Sequence, residues 1–187
     1  MKVIFLDIDG VLNNEEWFIR DTSKDITVNG ITMCPINSEY KSKRIEINGI
    51  SCRHDIDKEL VKNLKGIIDH TGAKIVLCSS WRHAPKDHKS SIYLNYIFDK
   101  HGLSIMDKTG TSMPSYRPYE IKYWLDYRNH DDVESFVILD DDYNYEDYAE
   151  FGLEKHLVQT RFYGKDGGLQ LFPHVNDAIK ILENNFG

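Results

Sequence analysis

Asp7 and Asp9 stand two residues apart at the end of the apolar run Lys2–Leu6, and Gly10 follows them. In an extended segment, residues i and i+2 point to the same side, so two carboxylates share one space. Crowding them is unfavourable without a compensating charge. A divalent cation supplies that charge, and hard oxygen donors favour magnesium. Gly10 lets the chain turn sharply and keeps the second carboxylate over the site. Two further apolar runs end in polar groups of matching character: Lys74–Cys78 leads into Ser79-Ser80-Trp81-Arg82, and Ser135–Leu139 into Asp140-Asp141-Asp142.

These three runs read as strands buried on both faces, as in the centre of a parallel sheet. Asp57 starts a helix whose apolar residues Leu60, Val61, Leu64, Ile67 and Ile68 follow helical spacing, and Gly72 stops it. Further helices are expected at Ser91–His101, Tyr119–Tyr127, Tyr145–Phe151 and Val175–Asn184, an edge strand at Lys155–Thr160, and loops at 107–118 and 164–168. Residues 13–55 lack a long helical pattern. They carry hairpin signals at Asn29-Gly30 and Asn48-Gly49. Strands alternating with helices predict an α/β fold, a parallel sheet flanked by helices. Ligands of such sheets bind beyond the carboxyl ends of the strands, so the three polar groups are expected to converge on one site.

The chain has 187 residues, 41% apolar and 28% charged. That is too apolar for a disordered polymer and fits one domain over residues 1–187. The longest apolar runs span only a few residues, whereas a membrane helix needs about 20. No secretory signal follows Met1, because Asp7 interrupts the first apolar run. Three separated cysteines, Cys34, Cys52 and Cys78, point to reduced thiols and a cytoplasmic location. A net charge of −7 makes sequence-independent nucleic-acid binding by the whole surface unfavourable, although a local basic patch would still handle a nucleic-acid end.

Phe5-Leu6-Asp7-Ile8-Asp9-Gly10-Val11-Leu12 resembles the first motif of the haloacid dehalogenase (HAD) superfamily of phosphotransferases. Ile75–Ser79 resembles its second motif and Val137–Asp141 its fourth; with Ser79-Ser80-Trp81-Arg82, the set is similar to the HAD domains of RNA-repair protein families. The resemblance implies a HAD-like Rossmannoid sheet and a Mg2+-dependent phosphomonoesterase. Asp7 would be the nucleophile that forms an aspartyl-phosphate, and Asp9 the general acid and base. Magnesium would lie between Asp7, the Asp9 backbone carbonyl and a strand-three acid, with Asp141 the first choice and Asp140 the second. The Ser79 hydroxyl would bond a phosphoryl oxygen. The third motif's cation would be Arg117, ahead of Pro118 and Tyr119, with Lys122 its rival.

Ser80 and Arg82 are expected to contact the substrate, while Trp81 is expected to pack. His83 and His88 lack zinc-like spacing, and Tyr143, Tyr145 and Tyr148 suit a packing face. Between Arg117 and Asp140 there is no room for a cap domain, and residues 13–55 read as a β-hairpin flap over an open site. That favours a nucleotide or nucleic-acid terminal phosphate, as for a nucleotidase or an end-processing phosphatase. A small-metabolite phosphatase is the alternative enzyme. A non-enzymatic phosphoacceptor or binding module is the rival class, and Asp9 argues against it, because a phosphoacceptor has no use for a general acid. Oligomeric state is left open.

Overall fold

A computed structural model describes residues 1–20, 32–35, 41–110, 115–127, 132–164 and 166–184. In chain order it contains β1 (Lys2–Leu6), α1 (Glu15–Arg20), β2 (Thr32–Pro35), β3 (Lys41–Ile47) and β4 (Ile50–Arg53). Next come α2 (Lys58–Thr71), β5 (Lys74–Leu77), α3 (Lys89–Lys100), β6 (Ile105–Lys108) and α4 (Arg117–Tyr127). β7 (Ser135–Asp140), α5 (Tyr145–Ala149), β8 (Leu157–Gln159) and α6 (Asn176–Leu182) follow. Five strands form a parallel sheet in the order β6-β5-β1-β7-β8, and β2-β3-β4 form a separate antiparallel sheet. The α/β architecture expected from the strand–helix alternation is therefore present.

β1 shows why the sheet is buried on both sides. Ile4 and Leu6 enter a core with Leu60, Val61, Leu64 and Ile67 of α2, Phe98 of α3 and Leu182 of α6. Val3 and Phe5 point the opposite way, into a second core with Ile121 and Trp124 of α4 and Tyr148 of α5. Alternating side chains of one strand thus serve two layers. The Phe5 and Trp124 rings meet edge to face at 5.2 Å, a favoured aromatic geometry.

Local chemistry sets the element ends. The Asp57 side chain accepts from the Glu59 amide at 2.9 Å and caps α2, while Gly72 closes the helix in the left-handed region at φ 70°. Asn48 and Gly49, both at positive φ, make the two-residue turn that sets Ile47 opposite Ile50 between β3 and β4. The Asn29-Gly30 signal lies outside the described residues. The β3–β4 hairpin packs on α3, and Ile47 and Cys52 are buried in the main core.

Two expectations need correction. Ile105–Lys108 is an edge strand whose last two residues fall in the stretch expected as loop; its half-exposed alternation carries little hydrophobic signal. α5 is capped by Asn144, reciprocally with Asp147. Tyr145 is exposed, whereas Tyr148 is buried. Among the described residues, no helix is long and apolar enough to cross a membrane.

Candidate active site

The sheet register brings the strand ends level. Leu6 lies beside Leu77 on one flank and Leu139 on the other. The ladder runs one step further, since the Asp7 amide bonds the Leu139 carbonyl and the Cys78 amide the Leu6 carbonyl, each at 3.0 Å. Asp7 therefore lies level with Cys78 and Asp140, one residue short of Ser79 and Asp141.

Asp7 is buried; it accepts from the Ile8 amide at 2.8 Å and stands 2.7 Å from Arg117 Nη1. Ser79, fully buried, also hydrogen-bonds its carboxylate. Burial pushes the Asp7 carboxyl up to about 6, against the opposing charge of Arg117 and with a further push from Asp140. Asp140 is fully buried and held by three donors: Arg117 Nη1, the Tyr148 hydroxyl and the Asp142 amide. Its carboxylate is thus committed to fixing Arg117, which also lies over the Tyr143 ring, 5.2 Å from its centroid.

Asp141 occupies the space above Gly10. A Cβ on that glycine would fall 2.0 Å from Asp141 Oδ2, and the backbone there turns at φ +66°, so both space and conformation require glycine. Burial, followed by the charges of Asp7, Asp140 and Asp142, raises Asp141 to about 7. Oxygens of Asp7, Asp140 and Asp141 all lie within 4.8 Å of one another. Three carboxylates against the single guanidinium of Arg117 leave an excess of negative charge, and the donors are all hard oxygens, so the cluster fits a magnesium ion.

Asp9 points outward, held at both oxygens. Asn13 Nδ2 donates to Oδ1 and Trp81 Nε1 to Oδ2, each at 2.9 Å. Asn13 is fully buried; its Oδ1 accepts from the Gly10 amide at 2.9 Å, and its Nδ2 also reaches the Asp55 carbonyl at 3.0 Å. The sequence pattern points to neither grip. For Asn13 the only signal is its position just past the first motif, four residues after Asp9, and Trp81 is expected only to pack.

Ser79 caps the short 3-10 turn Ser80–His83, and Ser80 sits on its exposed side. Arg82 differs from expectation. Its side chain is 5% exposed, with Nη2 paired to Glu120 at 2.5 Å and Nη1 on the carbonyls of Cys78 and Ser79. It braces the Ser79 loop rather than facing a phosphate. Lys122 is likewise turned away: exposed, it pairs with Asp126 at 2.6 Å one turn further along α4. Arg117, at the start of that helix, is the cation set beside Asp7.

A parallel sheet with acids, a hydroxyl and a cation at its carboxyl ends defines the class of HAD-like phosphate-handling domains. The chain belongs to the family described as the HAD domain in Swiss Army Knife RNA repair proteins, whose model matches residues 3–166. That family implies a phosphatase-type hydrolase. No curated protein and no solved structure matches the chain.

Proposed function

We infer that the protein is a Mg2+-dependent phosphomonoesterase acting through an aspartyl-phosphate on Asp7. The observation that carries this reading is the pairing of Asp7, clamped between Arg117 and Ser79, with a second carboxylate, Asp9, held at both oxygens two residues on. A carboxylate oxygen of Asp7 attacks phosphorus while the bond from phosphorus to the leaving oxygen breaks. Asp9 gives that oxygen its proton, then takes one from the water that attacks the aspartyl-phosphate, releasing inorganic phosphate and restoring Asp7. Arg117 and the Ser79 hydroxyl hold the equatorial phosphoryl oxygens, since phosphoryl transfer needs positioning and charge neutralisation above all. Asp7, Asp141 and the Asp9 carbonyl would hold magnesium, whose charge offsets repulsion between an anionic nucleophile and an anionic substrate.

The substrate reading is a nucleotide or nucleic-acid terminal phosphate. It is supported by the family's place in RNA repair proteins and by a hairpin packed on α3. The test is hydrolysis of a generic aryl phosphate with and without magnesium, in wild type and Asp7→Asn. Metal-dependent turnover abolished by the substitution is expected; robust activity in the variant overturns the assignment. A panel of 3′- and 5′-phosphorylated oligonucleotides, mononucleotides and sugar phosphates then identifies the substrate class. Sugar phosphates reacting fastest would make this a small-metabolite phosphatase.

A further inference from the structure

Beside Asp9 lies a cavity of about 360 Å³ between the β3–β4 hairpin, the Trp81 turn and the start of α3. Its wall carries Arg44, Arg53 and Lys89 against one carboxylate, Asp55. A positive cavity is unexpected in a chain of net charge −7. The arrangement within it is also costly. Arg44 and Arg53 are direct cross-strand partners in the antiparallel β3–β4 ladder, and like charges directly opposite one another destabilise a sheet.

Both guanidiniums are oriented through Nε. Arg44 Nε donates to Ser51 Oγ at 2.9 Å and its Nη2 to the Ser51 carbonyl at 3.0 Å. Arg53 Nε pairs with Asp55 at 3.0 Å. Neither Arg44 Nη1 nor the two Nη nitrogens of Arg53 take part in these bonds, and such forks match a phosphate group. Asp55 offsets one of three cations, so the cavity stays positive.

The cavity is joined to the reaction centre through Asp9. Trp81 lines the cavity and donates to Asp9 Oδ2, while Asn13, which donates to Oδ1, also bonds the carbonyl of cavity residue Asp55. A leaving group that is protonated by Asp9 and extends past Trp81 would reach this wall. We propose that the cavity is a second anion subsite, which binds a phosphate or phosphodiester carried on the leaving group, so that the preferred substrates are phosphomonoesters bearing another phosphate. This rests on the phosphatase reading above and adds to it what the leaving group must carry.

The test compares kcat/KM for a nucleoside 3′,5′-bisphosphate, a 5′-phosphorylated dinucleotide, a nucleoside monophosphate and an aryl phosphate. Wild type, Arg53→Gln and Lys89→Gln are assayed, with Lys62→Gln on the exposed face of α2 as a charge control. Wild type should favour the substrates with a second phosphate. Each cavity variant should lower that preference ratio about tenfold, the scale of one charged hydrogen bond, and Lys62→Gln should leave it in place. Preference for the bisphosphate marks a small-molecule source of the second anion, and preference for the dinucleotide marks a strand end. Equal rates for all four substrates, or a ratio untouched in both cavity variants, overturns the proposal. Calorimetric titration of Asp7→Asn with the bisphosphate and the monophosphate separates the two claims. Tighter bisphosphate binding that is lost with Arg53→Gln, in a protein whose wild type hydrolyses nothing, keeps the subsite and removes the phosphatase. Turnover without any such difference does the reverse.

Discussion

Arg117 Nη1 lies 2.7 Å from Asp7 and also binds Asp140, so one nitrogen ties the end of β1 to the end of β7. Its other terminal nitrogen is not used in that bridge and is available to a phosphoryl oxygen. An ammonium can replace the bridging nitrogen but offers no second one. Arg117→Lys should therefore keep most of the stability and lose about 10²-fold in kcat/KM, as when one preorganised donor is removed. Arg117→Ala strands two buried carboxylates and should cost about 3–5 kcal/mol as well. Denaturant midpoints beside kinetics separate the variants, and equal midpoints would show that the bridge adds nothing to stability.

Asp7 reaches about 6 in spite of Arg117, so burial outweighs the ion pair. A raised carboxyl binds more protons in the folded state than in the unfolded one. Stability from this group therefore falls as pH rises from about 4 through 6, and the full penalty applies above that. In metal-free protein Asp7→Asn should be more stable than wild type by about 3 kcal/mol at pH 8, with the gap closing toward pH 4. Thermal melts in chelator across that range measure it. Magnesium should narrow the gap at pH 8 by stabilising wild type more, because a ligand stabilises the state that binds it.

The strand ends were legible because an apolar run that stops at a polar residue marks both an element and its tip; Asp7, Ser79 and Asp140 show it. The caps of α2 were legible because Asp57 and Gly72 act on their own helix. What stayed hidden depends on partners distant in sequence. Trp81 grips Asp9 across 72 positions and Arg82 meets Glu120 across 38, and neither spacing leaves a periodic trace. Arg117 and Lys122 look alike as cations on one helix; only the placement of the first turn of α4 against β7 separates them.

Trp81 gives a readout specific to proton donation. Trp81→Phe keeps an aromatic ring against the core and removes the Nε1 donor to Asp9. If that bond aims the Asp9 proton at the leaving oxygen, the loss in kcat should reach about tenfold for alkyl phosphates, a fraction of the roughly 10²–10⁴-fold that a general acid supplies. It should shrink for aryl phosphates with acidic leaving groups, which depart without help. A slope of log kcat against leaving-group pKa that matches wild type would show that Trp81 only packs.

The buried Arg82–Glu120 pair tests the corrected role of Arg82. Glu120 Oε2 meets Arg82 at 2.5 Å with both side chains almost wholly enclosed, and Ser115 donates to its other oxygen at 3.1 Å. Removing one member of such a pair leaves the other charged and buried. Glu120→Ala should thus destabilise the protein by about 3–5 kcal/mol, whereas Lys122→Ala, two residues on in α4, should stay within about 0.5 kcal/mol of wild type. Because Arg82 holds the carbonyls of Cys78 and Ser79, the Glu120 variant should also lower kcat/KM, by the same factor for every phosphomonoester, whatever its leaving group. A factor that varied with the leaving group would return Arg82 to direct substrate contact.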